Sequence, residues 1–139
     1  MKLSTHFRLE EFTYSRTAKE LGIDNIPGDQ EIENLKLLCN GILEPIRDLL
    51  GVPMRISSGY RSKLLNSALK GTKNSQHLYG EAADVDLGSA EENKRLFVLI
   101  CWMIEKRLIE VGQVIDEKNY SWIHISLPGR HKNQVLHIN

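Results

Sequence analysis

The sequence predicts an α+β fold, in which helices pack against one small, mainly antiparallel sheet. Two long segments carry apolar residues at helical spacing, and short alternating segments in the second half are separated by turn residues. The composition shows no break along the 139 residues, and 41% of them are hydrophobic. We therefore expect a single domain, residues 1–139, whose core forms without disulfides.

The N-terminal part is predicted to be helical. Residues 4–20 indicate a loop with one or two turns of helix, and a Pro-Gly turn follows. A helix is then expected over residues 29–50, with a kink or a division near Pro45. Its core face recurs with helical period and consists of Ile32, Leu35, Leu38, Ile42, Leu43, Ile46, Leu49 and Leu50.

The middle of the chain alternates between short elements. Residues 54–57 are typical of a strand, residues 58–61 of a loop, and residues 62–70 of a short helix that a glycine ends. The segment 71–80 is polar and is expected to be an ordered loop. Residues 82–87 then alternate in polarity, which indicates a second strand.

The C-terminal part is predicted to contain one long helix and a hairpin. A serine and a glutamate three residues apart form a capping box for a helix over residues 89–110. Residues 113–115 and 121–126 are typical of two strands joined by a turn. The tail from residue 128 is polar and is expected to lack regular structure.

Charge and hydropathy exclude several classes of function. Lys and Arg together number 18, as do Asp and Glu, so the net charge is zero and binding driven by nucleic-acid phosphates is not expected. No apolar run suits a membrane span or a signal peptide, so we expect cytoplasmic synthesis, with any action on a cell wall following release. Cys39 and Cys101 lie in apolar helical segments and are expected to be free thiols in a monomer.

One compact motif carries metal-binding chemistry. His77 and Asp84 flank Gly80, which allows the backbone to turn back so that both side chains reach one ion. Imidazole and carboxylate are both good ligands of Zn²⁺. A histidine alone would more often be a packed or surface side chain, but the pair favours a metal site.

A catalytic zinc site needs a third protein ligand and an open position for water. His124 is the best candidate, because it lies in a predicted strand and shares a face with Trp122 and Ser126. The remaining histidines are expected to be solvated surface residues: His6, His131 and His137.

Four motifs in this order resemble the M15 zinc peptidases. They are F-x-L-x-E-F at 7–12, S-G-Y-R at 58–61, S-x-H-x-x-G-x-A-x-D at 75–84 and W-x-H at 122–124. This family contains D-alanyl-D-alanine carboxypeptidases and L-alanyl-D-glutamate endopeptidases, which act on bacterial cell-wall peptides. The resemblance, closest to the compact single-domain branch, implies a fold similar to the DD-peptidases and the hedgehog signalling domain.

The resemblance also implies roles for individual residues. It makes His77, Asp84 and His124 the zinc ligands. Arg61 would bind the carbonyl under attack or a substrate carboxylate, because its guanidinium stays charged and offers a planar set of donors. The alternative for Arg61 is a surface arginine that caps a loop.

Other residues of the motifs are expected near the substrate. Ser75 would contact substrate or form a local turn, and Tyr79, Trp122 and Tyr60 would form walls of the cleft or pack in the core. Asp86 would orient a ligand histidine or lie at a solvated strand end.

The general base is the point at which the sequence departs from part of the family. Many relatives carry an acid three residues before the last histidine, but this position is Ser121, which cannot serve as a base. Other relatives carry a glutamate in a Q-x-I-x-E pattern, and residues 113–117 match it. The resemblance therefore implies Glu117 as the base, with Asp116 in reserve on the opposite face of the strand. An exposed hairpin acid is the alternative for Glu117.

These expectations combine into one hypothesis and two rivals. The hypothesis is zinc-dependent hydrolysis of a peptidoglycan stem peptide, by a phage or prophage lysin or by a cytosolic recycling enzyme. One rival is a zinc-binding recognition module of the same fold that has lost catalysis. The other is a protein without a metal, in which the histidines only pack.

Overall fold

A computed structural model describes all 139 residues, and its fold class confirms the α+β prediction. Six α-helices, a π-helical turn and a 3-10 helix surround one sheet of five strands. The helices are α1 (Leu9–Thr13), α2 (Arg16–Leu21), α3 (Asp29–Leu38), α4 (Glu44–Leu50), α5 (Lys63–Ala68) and α6 (Ala90–Glu105). The strands are β1 (Ile56–Ser58), β2 (Ala82–Val85), β3 (Gln113–Glu117), β4 (Trp122–Ser126) and β5 (Gln134–Ile138).

The sheet has the strand order β1-β2-β4-β3-β5. Three of its pairings are antiparallel, and only the pairing of β3 with β5 is parallel. The sheet is thus mainly antiparallel, and its central strands β2, β4 and β3 come from the segments predicted to be strands.

Strand alternation gives the sheet two different faces. One face is apolar and packs against α3, α4 and α6, where the buried residues form a continuous core. This side of the sheet is formed by Ala83, Val85, Val114, Ile123 and Ile125. The opposite face carries the alternate positions of the same strands, which include the predicted ligands Asp84 and His124.

The predicted helix over residues 29–50 is divided before Pro45. A π-helical turn, Cys39–Leu43, separates α3 from α4, and the N–H of Glu44 donates to the carbonyl of Cys39. Pro45 lies in the first turn of α4, where its missing N–H costs little.

Two other element predictions need correction. Helix α6 ends at Glu105 rather than near residue 110, and Arg107 then adopts a left-handed conformation with φ of 60°. The tail contains a strand, β5, which the sequence analysis did not predict. Because β5 lies at the sheet edge and is only partly buried, its sequence lacks a clear apolar alternation.

Both cysteines are free, as predicted. Cys39 is buried and Cys101 is partly buried, and burial raises the pKa of the Cys39 thiol to about 12. None of the helices combines the length and the apolar character that crossing a membrane requires.

Candidate metal centre

The register of the sheet places two predicted ligands side by side. Asp84 on β2 lies directly opposite His124 on β4, and their side chains project from the same face of the sheet. His124 Nδ1 lies 2.9 Å from Asp84 Oδ1. Strand pairing alone therefore fixes two of the three positions.

The third ligand arrives from a short 3-10 helix, Gln76–Tyr79, that precedes β2. The backbone turns back at Gly80, which has φ of 70°, and a Cβ at this position would lie 2.4 Å from the carbonyl oxygen of Glu31. Only glycine fits this combination of left-handed backbone and close packing. The turn brings His77 Nε2 to 3.3 Å from Asp84 Oδ1.

The orientation of the His77 ring is fixed by the loop that contains Gly59. His77 Nδ1 lies 2.7 Å from the carbonyl oxygen of Gly59, which can only accept a hydrogen bond. Nδ1 therefore carries a proton, and Nε2 is the ring nitrogen that faces Asp84 and could bind a metal ion. A backbone partner of this kind is common behind metal-ligating histidines.

Asp84 is ionised in this environment. Its burial opposes ionisation, but the His77 and His124 rings that contact it more than offset this effect, so the pKa of Asp84 lies well below its usual range. The three side chains thus combine one carboxylate with two imidazoles, and their ligand atoms all lie within 4.8 Å of one another. This donor set fits Zn²⁺ and leaves a coordination position for water.

Arg61 lies at the edge of the three ligands. Its Nη2 is 3.6 Å from Asp84 Oδ2, and its side chain is 16% exposed. Burial lowers the pKa of the guanidinium, while the carboxylates of Asp84 and Glu117 raise it, and an arginine in such a site remains charged. The structure thus places the charged guanidinium beside the predicted metal ligands. The alternative for Arg61, a surface arginine that caps a loop, does not fit this position.

Glu117 is the carboxylate on β3 that faces the cleft. It lies two residues beyond Ile115, which pairs with His124, so Glu117 and His124 share one face of the sheet. Its Oε2 accepts a hydrogen bond of 3.1 Å from Trp122 Nε1 on the neighbouring strand. The side chain is therefore held at the cleft and is not a freely solvated hairpin acid.

Asp116 does not fit the reserve role as a base. It projects from the opposite face of β3, where it is 3% exposed and pairs with Nδ1 of His137. The reason is the two-residue period of the strand, which separates neighbouring side chains onto different faces. His137 itself is exposed, as predicted, but its ring contacts a buried acid.

The three predicted metal ligands line a cleft of about 730 Å³. Three residues that were expected near the substrate line it, namely Ser75, Tyr79 and Trp122. The Ser75 hydroxyl also accepts a hydrogen bond from the N–H of His77 and caps the 3-10 helix, so both of its predicted roles are compatible with the structure. Tyr60 packs against the core instead.

Two further expectations can be compared with the structure. Asp86 lies at the end of β2 and pairs with Arg55 at 2.8 Å, with its other oxygen on Asn93, so it does not orient a ligand histidine. Ser121 is exposed, and its hydroxyl donates to the carbonyl of Lys118, so this residue serves the turn and has no catalytic role.

Sequence reasoning missed one wall of the cleft. Gln113 contributes to it from β3, and the unpredicted strand β5 and the loop before it contribute the rest. These residues are Gly129, Arg130, His131, Leu136 and Ile138. The signal that was available is the spacing of Leu136 and Ile138, which places two apolar residues on one face of an extended segment.

Comparison with known proteins agrees with this geometry. The zinc D-Ala-D-Ala carboxypeptidase of Streptomyces albus G is 42% identical to this chain over 48 residues. The match covers 34% of this chain and 19% of the relative, so the chain aligns with about a fifth of the length of that protein. A family model described as Peptidase M15 matches residues 5–126, which is most of the chain. The resemblance inferred from the four motifs is thus confirmed at the level of the family, and the chain belongs to the M15 family of metallopeptidases.

Proposed function

We propose that this protein hydrolyses a peptide bond in the stem peptides of bacterial peptidoglycan, with Zn²⁺ held by His77, Asp84 and His124. The observation that carries the proposal is the buried His-Asp-His centre at the base of a cleft, with a guanidinium and a carboxylate beside it. The family membership supports the class of enzyme, and the name of the Streptomyces relative supports the class of substrate.

Bound Zn²⁺ would supply a Lewis acid that polarises a carbonyl group and makes water a better nucleophile at neutral pH. The three ligands divide the remaining work among this chain's own atoms. Asp84 contributes the negative charge, and the Gly59 carbonyl keeps the Nε2 lone pair of His77 directed at the centre.

Glu117 is the proposed general base. A carboxylate in this position takes a proton from the attacking water and returns it to the nitrogen of the leaving amine. The hydrogen bond from the indole of Trp122 leaves Glu117 Oε1 free for this transfer while it fixes Oε2. No other carboxylate of β3 faces the cleft.

Arg61 is the proposed partner of the carbonyl oxygen. Negative charge grows on this oxygen as the carbonyl carbon becomes tetrahedral, and a fixed guanidinium donor stabilises that charge more than it stabilises the neutral substrate. The distance of 3.6 Å between its Nη2 and Oδ2 of Asp84 supports this role.

The test is digestion of purified muropeptides and intact sacculi by the zinc-loaded protein, followed by mass spectrometry. Loss of one terminal alanine identifies a D-Ala-D-Ala carboxypeptidase, and an internal cut or release of stem peptides identifies an L-Ala-D-Glu endopeptidase. Cleavage of sacculi supports a lysin, whereas cleavage of soluble fragments alone supports a recycling enzyme. Stoichiometric zinc binding without any cleavage would overturn the proposal in favour of a recognition module.

The matched control is Glu117→Gln, which keeps the size of the side chain and the hydrogen bond from Trp122. It should retain zinc and lose about 100- to 10,000-fold in kcat, the usual contribution of a general base. Cleavage at the wild-type rate by this variant would assign the base elsewhere.

A further inference from the structure

Asn66 is a buried amide that the proposed mechanism does not use. It lies in α5, it is 4% exposed, and its side chain reaches towards the cleft rather than the main core. A buried amide is costly unless its donors and acceptor are satisfied, so its partners indicate why it is there. These partners are the Arg61 guanidinium and the carbonyl of Thr72, and both residues line the cleft.

The guanidinium of Arg61 is held at two of its three nitrogens. Nε donates to Ser58 Oγ at 3.1 Å, and Nη1 donates to Asn66 Oδ1 at 3.3 Å. A guanidinium is planar, so two fixed nitrogens determine the direction of the third. The third nitrogen, Nη2, is the one that faces Asp84 Oδ2.

Asn66 is itself locked in place. Its side-chain Nδ2 donates to the carbonyl of Thr72 at 2.9 Å. Its main-chain carbonyl oxygen accepts from the N–H of Gly71 at 2.8 Å. A Cβ on Gly71 would lie only 2.1 Å from Asn66 Oδ1, so this approach requires glycine. Gly71 and Thr72 also line the cleft, which ties Arg61 to the cleft wall through Asn66.

We propose that Asn66 is a positioning residue, which holds the Arg61 guanidinium so that Nη2 points at the carbonyl oxygen of the bound peptide. The proposal rests on the proposed function, because it assigns Asn66 to the same peptide hydrolysis and to the same arginine. Asn66 does not touch substrate in this scheme, and its effect passes through Arg61.

A double-mutant cycle tests the proposal through kcat and KM. Loss of a well-placed oxyanion donor lowers kcat about 100- to 1,000-fold. A donor that is only less well oriented should cost less, so Asn66→Ala should lower kcat about tenfold and leave KM little changed. In the Arg61→Ala background, Asn66→Ala should cause no further loss. An equal fold-loss in both backgrounds would overturn the proposal, because it would show that Asn66 acts independently of Arg61.

Two variants separate the contacts of Asn66. Asn66→Asp keeps an acceptor for Arg61 and loses the donor to Thr72, so it should keep more kcat than Asn66→Ala. Gly71→Ala displaces Asn66 Oδ1 without changing Asn66, and its loss of kcat should also vanish in the Arg61→Ala background. Gly71→Ala also provides the test if Asn66→Ala does not fold. A loss of kcat that persists in the Arg61→Ala background would overturn the proposal.

Asn93 is the matched control. It is equally buried, and its side chain also holds backbone groups, but these belong to Leu87, Tyr120 and Ser121, away from Arg61. Asn93→Ala should lower thermal stability, and any change in kcat should be the same with and without Arg61.

A readout without activity separates this proposal from the proposed function. In ¹⁵N NMR spectra of the zinc-loaded protein, a guanidinium held at Nη1 should show separate Nη resonances, which Arg61→Lys would assign by their disappearance. These resonances should merge in Asn66→Ala, and unchanged resonances would overturn the positioning role. If the wild type cleaves no muropeptide, the proposed function fails and the NMR result alone decides the role of Asn66.

Discussion

Histidines and carboxylates converge at two places in this molecule, and the two clusters differ in what surrounds them. One is the buried centre of His77, Asp84 and His124, and the other is the surface cluster of His6, Glu44 and Asp48. In each cluster the possible ligand atoms lie within 4.8 Å of one another. Distance alone therefore does not distinguish a metal centre from a structural contact.

Of the two carboxylates in the surface cluster, Glu44 is already engaged by protein groups. Glu44 Oε2 accepts from the Ser4 hydroxyl and from the N–H of His6, both at 2.6 Å, and Oε1 lies 2.7 Å from His6 Nδ1. These contacts fasten the N-terminal segment to the start of α4. Glu44 and the groups that contact it act as a clasp, because Glu44 is held by three groups of that segment.

The buried centre has the opposite arrangement. Its carboxylate faces two imidazoles and a guanidinium, and a backbone carbonyl orients the His77 ring so that Nε2 points inward. The site also opens into a cleft that can admit water and a peptide. The buried centre differs from the surface cluster in a histidine ring that the backbone orients, in the neighbouring guanidinium and in its position in a cleft.

The largest expected effect is on zinc binding, and it tests the comparison directly. His77→Ala should abolish stoichiometric zinc binding and hydrolysis. The loss of zinc affinity should exceed the roughly 10- to 100-fold that results from mutating residues hydrogen-bonded to metal ligands. His6→Ala should retain full zinc content, because His6 belongs to the clasp. Elemental analysis after dialysis measures both, and zinc lost from His6→Ala would break the distinction.

The second effect concerns the backbone that builds each cluster. Gly80→Ala forces an L-residue into a left-handed conformation against the Glu31 carbonyl and should lower the free energy of unfolding by about 2 kcal/mol or more. Gly41, in the turn before α4, has no atom near its Cβ position, so Gly41→Ala should be neutral or stabilising by up to about 1 kcal/mol. Urea denaturation of the zinc-free proteins measures both, and equal losses would contradict this account.

The third effect is the pH dependence of the clasp. Burial opposes ionisation of Glu44, but hydrogen bonds from Ser4 and His6 outweigh it and lower the pKa below its ordinary value of 4.5. Its contribution to stability is therefore complete above this value and disappears as pH falls through the lowered pKa. Glu44→Gln should cost about 1 to 2 kcal/mol at pH 7 and much less near pH 3.

Denaturant unfolding of Glu44→Gln at both pH values checks this prediction. The control is Glu33→Gln, which removes an exposed pair with Lys36 and should cost no more than about 0.5 kcal/mol. A cost of Glu44→Gln that did not change with pH would show that the carboxylate is not the group that fastens the segment.

The smallest expected effect lies beside the metal centre. Trp122→Phe keeps a large ring in the cleft but removes the donor to Glu117 Oε2, so kcat should fall about fivefold while zinc content stays unchanged. Trp102→Phe changes an exposed tryptophan on α6, outside the cleft, and should leave kcat unaltered. Loss of zinc from Trp122→Phe would mean that the ligands and the base are not separate parts of the site.

Local patterns were sufficient to predict the elements that carry the site. The alternation in β2 and β4 was visible in the sequence, and so was the glycine between His77 and Asp84. The choice of Glu117 over Asp116 followed from strand period combined with the family pattern. These features depend on neighbours within a few residues, which is the range that such patterns describe.

Features that depend on distant contacts were not predicted. The carbonyl of Gly59 behind His77 and the amide of Asn66 behind Arg61 become partners only after the chain folds. The division of the first long helix ahead of Pro45 reflects how that helix fits the core, and β5 is extended because β3 offers it an edge. The ion pair of Asp86 was not predicted for the same reason, since its partner Arg55 precedes a different strand, β1.

Strand β5 has a consequence for how this cleft can diversify. The match to the family ends at residue 126, whereas Leu136 and Ile138, on the cleft wall, lie beyond it. The predicted metal ligands and the wall formed by β5 thus lie in separate stretches of the sequence. Substitutions in the last strand would therefore reshape one wall of the cleft while leaving the predicted zinc ligands in place.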